Sequence, residues 1–158
     1  MSRSGHGHGH GHGHGHGPTA GGTRPTSHAP RSTGTAPRRN DLHRLDVYRT
    51  ALDLYRAVGQ IVADFPRGEA DLRGQMRRAC RSVPFNIGEA VGKRGRARAA
   101  AYQVALGEAK ELLVALDCVE IDGLATHETV MAAQDLADRV AGMLTKLIRL
   151  SLIHISEP

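Results

Sequence analysis

Between Val47 and Phe65 the apolar residues fall at Val47, Tyr48, Ala51, Leu52, Leu54, Tyr55, Val58, Ile61, Val62 and Phe65. This i, i+3, i+4, i+7 rhythm predicts an amphipathic helix. Asp46 suits its N-cap, and Pro66 and Gly68 suit its stop. A second helix starts near Ala70 and is broken at Lys93-Arg94-Gly95. A third runs from about Ala97 to Ile121, with Tyr102, Ala105, Leu106, Ala109, Leu112, Leu113, Leu116 and Val119 inward, and Asp122-Gly123 ends it. Thr126 is placed to cap a fourth, with Val130, Met131, Leu136, Val140, Met143, Leu144, Leu147 and Ile148 inward. Four such helices on short connections predict an all-α, up-down antiparallel four-helix bundle. The small residues Ala105, Gly107 and Ala109 are expected at a close helix approach.

The second helix holds a conflict. In "QMRRACRSVPFNIGEAVGKR", Gln75 to Arg94, Pro84 stands where a helix should not tolerate it. On a wheel at about 100° per residue, Leu72, Met76, Ala79, Cys80, Val83, Ile87 and Ala90 share one core-width stripe. The stripe continues past Pro84, so the helix is expected to run through the proline with a kink. Asn86, on the shoulder of the stripe, is placed to hydrogen-bond near the break. Arg73, Arg77, Arg78 and Arg81 fall on the other side, and Arg73, Arg77 and Arg81 repeat at i, i+4, i+8. Like charges at that spacing repel by a few tenths of a kcal/mol per pair, so stability alone does not account for the row.

Charge sharpens this picture once it is divided along the chain. The formal net charge is +5. Residues 1–40 carry five arginines and no acid, whereas residues 41–149 carry 16 basic and 15 acidic residues. The folded part is therefore near neutral, yet Arg73, Arg77, Arg78, Arg81, Lys93, Arg94, Arg96 and Arg98 face the single acid Glu89 between Leu72 and Arg98. Lys93, Arg94, Arg96 and Arg98 lead into the start of the third helix, where free N–H groups also favour an anion. These eight residues are the candidate nucleic-acid-binding set. Two readings stand together: a basic face for RNA or DNA, and a solvated face whose arginines pair with carboxylates of a neighbouring subunit. Aromatics are only 3% of the chain, so binding is expected to follow the backbone with weak sequence preference.

The ends differ from the body. Residues 1–40 are low in complexity and poor in large apolar residues, the composition of a disordered tail. Within it His6, His8, His10, His12, His14 and His16 alternate with glycine, a string that can chelate a transition metal but lacks the fixed geometry of a built site. Residues 150–158, LSLIHISEP, read as the translation of a common sequencing-library adapter and break the preceding helical pattern. The native C-terminus is therefore expected to differ.

The second-helix motif also carries a resemblance. It is similar to the pattern Q-x-R-R-A-x-x-S-[IV]-x-x-N-I-A-E-G-x-G-[RK] of the small four-helix-bundle proteins called 23S rRNA-intervening-sequence proteins. The positions that match are Gln75, Arg77, Arg78, Ala79, Ser82, Val83, Asn86, Ile87, Glu89, Gly92 and Lys93, with Gly107 and Glu111 in a second motif. Gly88, Ala90 and Glu108 depart from it. The resemblance covers about residues 42–149. It implies an up-down bundle with no known enzymatic activity and homo-oligomerisation as a pentameric ring. The accessory protein of diversity-generating retroelements is similar in fold and binds nucleic acid and a reverse transcriptase through basic surfaces. Carried over, Arg77, Arg78, Lys93 and Arg94 would form such a surface.

Other chemistry is set aside. No Walker loop, dinucleotide fingerprint or Ser/His/Asp set is present. Cys80 and Cys118 read as buried structural thiols, and His43 and His127 as surface residues. Glu108 and Glu111 lack the Glu-x-x-His partner of a di-metal site. Gln75, Ser82, Pro84, Asn86, Glu89 and Gly92 are read as the structural part of the motif, with Glu89 paired to a nearby arginine. No cofactor or small-molecule substrate is expected. The absence of a long apolar run, of a signal segment and of a disulfide framework points to the cytoplasm.

Overall fold

The computed structural model describes residues 41–153. A short 3-10 turn, Asp41–Arg44, leads into α1 (Asp46–Ala63), and a second, Arg67–Glu69, leads into α2 (Ala70–Val91). Then follow α3 (Gly95–Ile121) and α4 (His127–Ile153). Among the described residues there is no strand. Each helix packs on its neighbours in sequence, and α1 closes the bundle on α4. Gln75 bonds Glu111 while Ser82 bonds Glu108, so α2 and α3 run in opposite directions. The pairs Asp117–Gln134 and Glu120–His127 show the same for α3 and α4.

The core is aliphatic, as the scarcity of aromatics requires. Leu54, Met76, Ile87, Leu112, Leu116 and Leu144 are its largest fully buried side chains. Ala105, Ala109, Ala133 and Ala137 are completely buried and let α3 and α4 approach closely. Gly107 does not share that role, since a Cβ there would meet no atom within 4 Å. Met131 also departs from the inward pattern at 41% exposure, on the shoulder of the α4 stripe.

The helix ends show what the periodicity could resolve. Leu45, not Asp46, is the N-cap of α1, with no side-chain cap bond. Asp46 is the first helical residue, and its carboxylate takes the guanidinium of Arg49. Thr126 caps α4: its Oγ1 accepts the Thr129 N–H at 3.3 Å. α3 ends where Gly123, at φ +64°, turns left-handed. There Leu124 N–H reaches back to the Val119 carbonyl at 3.0 Å, a closing bond of the Schellman type.

α2 runs through Pro84 without interruption. Pro84 has no N–H to offer the Cys80 carbonyl. Two residues on, Asn86 Nδ2 donates to the Ser82 carbonyl at 2.9 Å and to Ser82 Oγ at 3.0 Å. Ile87 and Ala90 beyond the proline are fully buried, as the continuous stripe requires. At the other end of the chain, the pattern does not break at Leu150, because α4 continues to Ile153. That last turn nevertheless turns Leu150, Leu152 and Ile153 largely outward, at 55%, 40% and 61% exposure.

Candidate nucleic-acid interface

The predicted basic residues separate into three groups. Arg73 is anchored at the α1–α2 connection, where its Nη2 donates to the carbonyls of Phe65 at 2.5 Å and Pro66 at 3.2 Å. Arg77, Arg78 and Arg81 stand exposed on the outer face of α2. Among the described residues no carboxylate lies within 4.0 Å of any of these three. Arg77 and Arg81 are one turn apart, about 6 Å along the axis at 1.5 Å per residue.

The third group gathers at the α2–α3 corner, about 18 Å further along the helix axis. Lys93 is the partner of Glu89, Nζ to Oε1 2.6 Å, where an arginine partner was expected. Lys93 stands four residues on, just past the end of α2, whereas no arginine stands three or four residues from Glu89. Arg98 Nε donates to the Lys93 carbonyl at 2.7 Å. With Arg94, Gly95, Tyr102 and Leu147 it borders a cavity of about 500 Å³. Burial raises the Tyr102 hydroxyl above its ordinary pKa, against the opposing charge of Arg98. Arg96 is exposed beside this corner, and Gly95 opens α3 at φ +52°.

The polar motif residues face α3. Gln75 Nε2 donates to Glu111 Oε1 at 3.1 Å, and Ser82 Oγ to Glu108 Oε1 at 3.1 Å. Ser82 also receives Asn86, so Asn86, Ser82 and Glu108 form a continuous chain from α2 to α3. Gly92 N–H donates to the Glu89 carbonyl at 3.2 Å in the turn that ends α2.

One arrangement escaped the sequence reading. Tyr48 and Tyr55 of α1 and Phe85 of α2 line a single groove of about 510 Å³, floored by Leu52 and Pro84 and edged by Arg81. Phe85 is 72% exposed. The signal was present: Phe85 continues the Arg73, Arg77, Arg81 row by one more turn.

The remaining candidates resolve simply. Cys80 is buried, and desolvation pushes its thiol up to about 11 despite Arg81 and Arg77 nearby. Cys118 is exposed rather than buried, because it lies just off the α3 stripe. His43 is half-buried edge-on to Tyr48, and His127 Nδ1 meets Glu120 Oε1 at 2.5 Å on the surface. Among the described residues no group of three or more His, Cys, Asp or Glu could hold a metal ion. The histidines from His6 to His16 lie outside the described residues, as do residues 154–158. Among the described residues no helix is long and apolar enough to cross a membrane.

A family model described as 23S rRNA-intervening sequence protein matches residues 43–146. A crystal structure of a protein of unknown function from the S23 ribosomal protein family of Bacteroides thetaiotaomicron VPI-5482 is similar at TM-score 0.60 and 21% identity. That match covers 65% of this chain and 97% of the other, and it bears on the fold alone. No curated protein matches the chain.

Proposed function

Because the chain belongs to the 23S rRNA-intervening sequence protein family, we propose that it is a non-enzymatic, self-associating cytoplasmic bundle that binds RNA or DNA through α2. The observation that carries this reading is the exposed set Arg77, Arg78 and Arg81, which no carboxylate of the described residues neutralises. Guanidinium groups in a row on a rigid helix suit phosphates, which they grip in bidentate fashion. Arg94, Arg96 and Arg98 extend the surface at the α2–α3 corner. Lys93, Arg73 and Arg98 contribute less than the others, since each already has a partner within the chain.

A second reading is favoured by the acids. Between Glu108 and Asp138 stand Glu108, Glu111, Asp117, Glu120, Asp122, Glu128, Asp135 and Asp138 against Lys110 alone. A molecule with opposite charge on different elements can assemble head to tail, as a pentameric ring would require. In that reading the arginines of one subunit meet the acids of the next.

Salt separates the two. Single- and double-stranded RNA and DNA are titrated against the chain and against the Arg77→Ala, Arg78→Ala, Arg81→Ala variant at rising salt. Phosphate binding gives a log–log slope of about −0.7 to −0.9 per contact. The variant loses that part of the slope, while arginines elsewhere act equally on both proteins. Identical curves for the two proteins, with a subunit count that falls in the variant by native mass spectrometry, support the scaffold instead.

A further inference from the structure

Three of the chain's five aromatic residues meet in one groove. Tyr48 and Tyr55 approach from α1 and Phe85 from α2, with Leu52 and Pro84 between them. Phe85 is 72% exposed and Tyr55 40% exposed, so flat apolar surface faces outward. Among the described residues Arg81 is the groove's one charged lining residue, and Arg77 lies one turn before it on the same side of α2. The occupant this chemistry selects has a flat apolar face and carries negative charge beside it. An unpaired nucleotide has both.

We infer that the groove stacks an unpaired nucleobase against Phe85 and the α1 tyrosines, while Arg81 and Arg77 take the neighbouring phosphates. The inference rests on the nucleic-acid reading above and narrows it to single strands. A duplex keeps its bases stacked and offers none to the groove, whereas single strands are bound on aromatic platforms beside cationic tracks. Choice among the bases is weak, because every base has a stacking face.

The test uses the full chain with three probes of equal phosphate number: a ten-nucleotide single strand, the same strand with abasic sites, and a duplex. Binding is read by anisotropy and by intrinsic tyrosine emission, which the absence of tryptophan leaves unmasked. The base-bearing strand binds about tenfold more tightly than the abasic one, within the usual range for one stacked base, and quenches the tyrosines. Phe85→Ala abolishes this preference and leaves abasic binding unchanged. Phe85→Leu, which keeps an apolar side chain without a ring, does the same. Equal binding of the base-bearing and abasic strands overturns the groove alone, and binding of none of the probes overturns the nucleic-acid reading with it. A lower subunit count in Phe85→Ala, with the strand preference intact, assigns the groove to a second copy of the chain and overturns the inference.

Discussion

The stretch from Leu72 to Arg98 and the stretch from Glu108 to Asp138 carry equal and opposite excess charge, yet they use it differently. In the acidic stretch, Glu108, Glu111, Asp117 and Glu120 each accept a side chain from a neighbouring helix. In the basic stretch, Arg77, Arg78 and Arg81 meet no acid among the described residues. Four carboxylates here stitch the bundle, and three guanidiniums are left outside it. Charge that contributes no internal bond and repels its own kind is explained most economically by something beyond the chain.

The largest break in that contrast comes from Arg77→Ala, Arg78→Ala, Arg81→Ala. Oligonucleotide affinity is expected to fall on the order of a hundredfold at physiological salt, with a log–log salt slope shallower by about 2–3. Urea stability should stay within about 0.5 kcal/mol of the parent, since these side chains are exposed and meet no carboxylate among the described residues.

Next is Cys80, which adjoins Arg81 in sequence but faces inward. An unburied cysteine releases its proton near 9.0, and burial pushes the native Cys80 thiol up to about 11. Between those values the unfolded state holds fewer protons, so stability falls as pH rises through the window. Urea melts at pH 8 and pH 10.5 should show the loss, and Cys80→Ala should lessen it, leaving the part that belongs to the buried Tyr102 hydroxyl. At pH 8 a thiol reagent should modify Cys118 promptly and Cys80 only after unfolding.

Ser82→Ala interrupts the chain from Asn86 to Glu108 and should cost about 1–2 kcal/mol in urea unfolding. Gln75→Ala removes an exposed stitch to Glu111 and should cost a few tenths of a kcal/mol. If Ser82→Ala proved neutral while the arginine triple variant unfolded the chain, the contrast between stitching acids and free bases would be reversed.

Much of the fold was legible because a helix writes its buried face into its own period. The stripe from Met76 to Ala90 announced that α2 continues through Pro84, and Ile87 and Ala90 are indeed buried. Residues at the margin of a stripe were less legible. Met131 and Cys118 sit a fraction of a turn away from the core, where a small rotation decides exposure. Of the groove only the α2 side was legible, through Phe85 at the end of the arginine row, because a wheel drawn for α1 places Tyr48 and Tyr55 relative to α1 only. Whether they close on α2 or stand apart from it depends on how two helices diverge. Partners were legible only in kind: the surplus of arginine was plain, but which of them is tied down depended on carbonyls such as that of Phe65.

The stitches all converge on α3, and among the described residues α1 shares no side-chain hydrogen bond with another helix. It is held by Val47, Leu54, Val58 and Val62 pressed into the core. Adhesion of that kind weakens as water cools. Chilling should therefore loosen α1 ahead of its three companions, and would take one wall of the groove with it.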